Sequence, residues 1–92
     1  MKYESSPTFI KSYVALPRDV QKKVLKAIKL FQENSRHPDL GIKKLQGAKD
    51  IWEGRIDQFY RFTFEYRKNA DSGETECWYR NVGRHEIIDR AP

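Results

Sequence analysis

The clearest pattern in the chain is a strict alternation. Over residues 60–67, Tyr60, Phe62, Phe64 and Tyr66 alternate with Arg61, Thr63, Glu65 and Arg67. Successive side chains of a strand point to opposite faces. The pattern predicts a strand whose rings enter a core and whose Arg61 and Arg67 lie on the open face. A helical period runs over about residues 18–34: Val20, Val24, Ala27, Ile28 and Phe31 form one stripe, and Lys22, Lys26 and Lys29 another. Ahead of it, Ser6 and Pro7 read as a helix start, serine at the cap and proline at the first helical position. Phe9, Ile10, Tyr13 and Val14 then repeat at helical spacing. Pro17 disfavours helical geometry at Leu16 and can open the next helix. Two helices, each with one apolar face, predict a hairpin laid on a sheet.

The rest of the chain supplies the sheet. Residues 2–5 predict a short first strand. Residues 39–50 form a connection anchored by Leu40, Ile42 and Leu45, with turns at Gly41 and Gly47. Residues 51–56 predict a strand, Asp57 and Gln58 a tight turn, 69–73 a loop and 75–82 the last strand. Trp78 and Tyr79 point opposite ways, so the pattern leaves that strand's buried face open. The expected fold class is α+β, a single domain over residues 1–92. Its N-terminal helical hairpin packs on a twisted, mostly antiparallel sheet of about four strands.

Composition adds the chemistry. Apolar residues are 38% of the chain yet aromatics are 13%, so the core is built from a few large rings. Eighteen Lys and Arg against 13 Asp and Glu give +5, with a pI near 9.4. Such a domain attracts polyanions, nucleic acid or an acidic protein partner, and composition does not separate the two. Cys77 is the only cysteine, which rules out an internal disulfide and fits a reducing cytoplasm. The opening MKYESSPTF has no apolar run of signal-peptide length. No segment approaches the ~20 apolar residues of a membrane span. The expected location is cytoplasmic.

If the strands around Asp57 and Gln58 form a hairpin, Arg55 and Arg61 share one face. Two close guanidiniums repel unless an anion sits between them, and their planar forks suit phosphate. Taken alone, Arg61 reads as an exposed arginine, paired across strands with Glu53. His85 follows Gly83 and Arg84, and a histidine can serve as general base or acid near neutral pH. Its alternative is a surface histidine. His37, beside Pro38, is assigned no role. Lys43, Lys44, Lys49 and Arg84, with Lys22, Lys26 and Lys29 on the helix, are candidate RNA-backbone contacts or solvated faces. One cysteine and two distant histidines make no zinc site. Asp50, Glu53 and Asp57 fall on different faces or turns, so no magnesium cluster is expected. No glycine-rich phosphate loop or nucleophile elbow occurs. No metal and no cofactor are expected.

Several segments in order carry a resemblance: LPRDVQKKVLKAIKLF, KKLQG, IWEGRI, YRFTFEY and NVGRHEIID. Their order and spacing resemble the RelE/ParE superfamily of toxins from type II toxin–antitoxin systems, over nearly the whole chain. For RelE-like members the resemblance implies a ribosome-dependent endoribonuclease, an mRNA interferase that inhibits translation. It implies an antitoxin, the ribosome and mRNA as partners. Arg61 matches the family's strand arginine, and Arg55 a basic or histidine position on the preceding strand. His85 matches the basic or histidine position after a Val-Gly pair, while Lys44 and Lys49 match family lysines loosely. Asp89 holds the place where many members carry Tyr or Phe. The catalytic set expected is therefore Arg61, His85, Arg55 and Asp89. ParE-like members instead poison DNA gyrase, and a module that only binds its antitoxin is a third reading.

Overall fold

The Ser6 side chain fixes where the helical layer begins. Its Oγ accepts the Phe9 N–H at 2.9 Å and donates to the Arg80 carbonyl at 2.7 Å. It thus caps α1 (Pro7–Val14) and ties the helix start to a strand distant in sequence. The structure is a computed structural model describing residues 1–92, apart from the side chain of residue 87. α2 (Arg18–Glu33) starts after Pro17. Gln21 Nε2 donates to the carbonyls of Tyr13 and Val14, at 3.0 and 3.3 Å. The second helix thereby satisfies orphan carbonyls at the end of the first and closes the hairpin. No helix among the described residues is long and apolar enough to cross a membrane.

The strands are β1 (Lys2–Ser5), β2 (Lys43–Lys44), β3 (Trp52–Arg55), β4 (Tyr60–Lys68) and β5 (Thr75–Arg84). They form one five-stranded sheet in the order β1-β5-β4-β3-β2. β1 runs parallel to β5, and the other pairs are antiparallel. The α+β architecture is the expected one. The extra strand is β2, only two residues long and hidden inside the connection. The third helix, α3 (His85–Arg90), continues directly from β5.

The core lies between the hairpin and one face of the sheet. Phe62 and Phe64 are 0% exposed, and Phe31 from α2 sits 5.5 and 4.6 Å from their ring centroids. Val20, Val24 and Ala27 fill the same layer, as the helical stripe requires. Gly54 lies opposite Phe62 on β3. A Cβ there would fall 2.4 Å from the Phe62 ring, so the close approach of strand and ring requires glycine. The ring face of β4 does not stay buried to its end: Tyr66 is 42% exposed.

A bulge resolves the open question about β5. Thr63 pairs with Asn81 and Phe64 with Tyr79, so Arg80 has no opposite number on β4. The extra residue switches the phase. Cys77 and Tyr79 face the helices before it, and Val82 after it. The other face of β4 and β5 is covered by α3. Ile88 of α3 is 0% exposed, and Asn81 Nδ2 donates to the Ala91 carbonyl at 2.8 Å. Arg80 Nε donates to the Pro92 carbonyl at 3.2 Å while its guanidinium pairs with Glu65 at 2.8 Å. The face expected to be open is therefore partly roofed by the C-terminal segment.

Candidate active site

Topology brings Arg55 and Arg61 together: they are direct cross-strand partners at the β3–β4 hairpin. Direct partners project to the same face, here the one opposite the aromatic core. The hairpin turn spans residues 56–59 and is built by Asp57. Its Oδ1 accepts the N–H groups of Phe59 and Tyr60 at 2.8 and 2.9 Å. Lys23 of α2 pairs with Oδ2 at 3.2 Å. Partial burial pulls the Asp57 carboxyl upward, but those two N–H groups and the Lys23 charge outweigh it and hold it below its ordinary value. Arg61 Nη1 in turn donates to the carbonyls of Asp57 and Tyr60. Its guanidinium is thus oriented by the turn it follows.

A groove of about 300 Å³ collects these residues. Arg55, Gln58, Arg61, His85 and Asp89 line it, with Gly41, Lys43 and Glu53 at the β2 end. All four residues expected to be catalytic therefore border one hollow. Among the described residues, neither Arg55 nor Arg61 forms an ion pair. Glu53, the sequence-based partner for Arg61, pairs instead with Lys43 at 3.2 Å. The reason is register: Lys43 lies directly opposite Glu53, whereas Arg61 lies opposite Arg55. Gly83 is the partner of Arg61 on β5 and adds no side chain there. The groove thus presents two guanidinium groups that form no ion pair, since Glu53 is taken by Lys43 and Asp89 lies within ion-pair distance of neither, an arrangement that suits an anion.

His85 is the first residue of α3, and its N–H donates to the Phe59 carbonyl at 3.0 Å. Its Nε2 lies 3.5 Å from Glu86 Oε1. The neighbouring carboxylate at ion-pair range is thus Glu86, while Asp89 sits one helical turn on and lines the same groove. Glu86 is held below its ordinary range, first by a hydrogen bond from its own N–H, then by the His85 and Arg84 charges. Arg84 follows the phase set by the bulge. It pairs with Tyr60, stacks over Phe59 and Tyr60 at 5.4 and 5.8 Å, and does not line the groove.

The lysines divide. Lys43 enters the groove, whereas Lys44 lies over Trp52 on the other face and Lys49 is exposed in the following turn. Lys26 shares a neighbouring hollow with Arg55, extending the cationic surface onto α2. Lys22 and Lys29 are exposed on that helix, outside both hollows. Gln58 was not singled out from the sequence, since a turn residue carries no periodic signal. Phe59, whose carbonyl holds the His85 N–H, is 47% exposed but lies under Arg84 and outside the groove. Cys77 is buried on the far side, its thiol pushed up to about 12 by burial, and takes no part.

No protein-family model and no curated protein sequence matches the chain. Solved structures do. The structure of a RelB–RelE antitoxin–toxin complex from Methanococcus jannaschii is 26% identical, covers 100% of both chains and gives a TM-score of 0.66. YafQ from Escherichia coli strain BL21(DE3) is 13% identical with a TM-score of 0.72, covering 95% of this chain and 96% of that one. A YoeB/ParE toxin from Agrobacterium tumefaciens is 16% identical with a TM-score of 0.70, covering 92% and 99%. The hairpin, the sheet order and the terminal helix are thus those of the RelE/ParE superfamily of toxins from toxin–antitoxin systems.

Proposed function

We propose that the chain is a toxin that cleaves mRNA on the ribosome by a metal-independent route. The observation that carries this reading is the groove in which Arg55, Arg61, His85 and Asp89 converge. The scissile phosphate sits between the two guanidiniums. The 2′-hydroxyl of the preceding ribose attacks it, giving a 2′,3′-cyclic phosphate and a free 5′-hydroxyl. Neutral His85 takes the 2′-hydroxyl proton, and the imidazolium returns one to the departing 5′-oxygen. Arg61, held by the turn carbonyls, meets the charge that develops on the phosphorane. Donors aimed at developing charge are often the largest single contribution to catalysis. Arg55 holds the phosphate, Glu86 is the carboxylate within range of the imidazole while Asp89 faces the groove one helical turn on, and Lys43 and Lys26 hold the RNA backbone.

The partner is an antitoxin, as in the RelB–RelE and DinJ–YafQ complexes that the fold resembles. With +5 on the toxin, an acidic segment that folds on binding suits this surface. The test is translation in vitro with primer extension on the mRNA. Cleavage within codons, lost in Arg61→Ala and His85→Ala, supports the reading. Intact mRNA with trapped gyrase–DNA complexes overturns it in favour of a ParE-like activity.

A further inference from the structure

The largest hollow among those described is not the groove. It lies on the helix face, past the end of α2, and holds about 550 Å³. Arg36 and His37 line it from the loop after α2, Trp52 from β3 and Tyr66 from β4, with Gly41 and Ile42 at its edge. Gly41 also lines the active-site groove, so the two hollows are neighbours around the β2 end of the sheet. Tyr66 continues the ring face of β4 beyond the helices that would cover it and is 42% exposed. Its ring meets Phe64 edge-on, 5.6 Å between centroids.

Arg36 is the cationic side chain that lines the hollow. His37 Nδ1 accepts the Asp39 N–H at 3.1 Å, which leaves the ring's Nε2 for a ligand. Lys44 Nζ is 5.8 Å from the Trp52 ring centroid and is shared with Asp50 at 3.4 Å. No acidic residue lines the hollow. An exposed ring, Tyr66, and a half-buried one, Trp52, with Arg36 beside them in a hollow of ligand size, form a stacking platform next to a phosphate contact.

We infer that this hollow is a second RNA site, which takes one unstacked base of a single strand against Tyr66 and Trp52 with its phosphate on Arg36. A strand leaving the groove passes Gly41 to reach it. The inference rests on the RNA reading for its ligand class alone. Its test needs neither ribosome nor cleavage. The probe is a short single-stranded 2′-O-methyl oligoadenylate, which has no 2′-hydroxyl to attack. The protein carries Trp78→Phe, so that Trp52 is the sole tryptophan. Titration quenches Trp52 fluorescence, and Tyr66→Leu and Arg36→Ala each weaken binding roughly tenfold. Tyr66→Leu keeps apolar cover and removes the π face. Quenching that survives Arg61→Ala supports a site separate from the groove, whether or not the protein cleaves mRNA. Absence of quenching, or binding lost in Arg61→Ala but unchanged in Tyr66→Leu, overturns the inference.

Discussion

Arg61 has two tasks that pull on one side chain. It faces the groove, and it donates to the carbonyls of Asp57 and Tyr60. The first was legible in the alternation of β4; the second was not, because backbone acceptors leave no trace in a sequence. Arg61→Lys keeps the charge but loses the planar fork. Cleavage should fall about 10²-fold or more, as for loss of an oriented donor. Urea denaturation should show a loss of about 0.5–1.5 kcal/mol from the turn. Full activity with unchanged stability would remove Arg61 from both roles. Asp57 gives the same turn a pH signature. Its carboxyl is held below the ordinary range when folded, so its contribution is complete above about pH 4, the unfolded value. That contribution is lost as pH falls through the depressed folded value. Asp57→Asn keeps an acceptor for the two N–H groups. The wild type should be the more stable at pH 7, and the two melting curves should converge on acidification. A constant gap from pH 7 to pH 2 would show that the turn carries no ionic linkage.

At the level of elements, β3 and β4 meet across a tolerance of one ring. Phe62 is fully buried and Gly54 lies against it. Phe62→Ala removes the ring and should cost about 3–5 kcal/mol. Gly54→Ala adds a methyl group where the Phe62 ring already stands and should cost about 1–3 kcal/mol. In the double variant the added methyl meets the vacated space, so the losses should fall short of their sum. Strict additivity in denaturant titrations would show that the two sites do not touch. Periodicity revealed the long elements because their apolar residues all point one way. It failed at β5, where the bulge at Arg80 reverses the phase midway and buries residues of both parities. It also failed at β2, since two residues have no period. α3 was missed for the same reason: at six residues it is a single packed turn and a half, held by Ile88 rather than by a stripe.

For the whole molecule, the helix face and the groove face are built to different depths. The aromatic core binds the hairpin to the sheet, whereas α3 rests on β4 and β5 through Ile88 and the bonds from Asn81 and Arg80 to the terminal carbonyls. Yet α3 carries two of the groove's side chains, His85 and Asp89. The convergence of Arg55 with Arg61 could be read from the hairpin, since register follows from the turn. That His85 and Asp89 join them was implied by the family resemblance and not by periodicity, because it depends on a helix reversing over the sheet after the bulge. The Asn81 amide also links the two faces: its Oδ1 accepts the Ser12 hydroxyl of α1 at 2.7 Å while its Nδ2 holds Ala91. Ile88→Ala separates the contributions. If α3 is a satellite clamp, it should loosen locally, with faster amide exchange over residues 85–91 and slow exchange retained in β4. The loss of global stability should then stay below the ~2–5 kcal/mol of a core Ile-to-Ala change, because local opening relieves the cavity. Cleavage should fall about as far as in His85→Ala, roughly 10²–10⁴-fold, since the proton-transfer group is no longer held at the phosphate. Loss of slow exchange in β4 together with residues 85–91 would make α3 part of the structural core, and cleavage unchanged in the folded variant would show that α3 does not set the site.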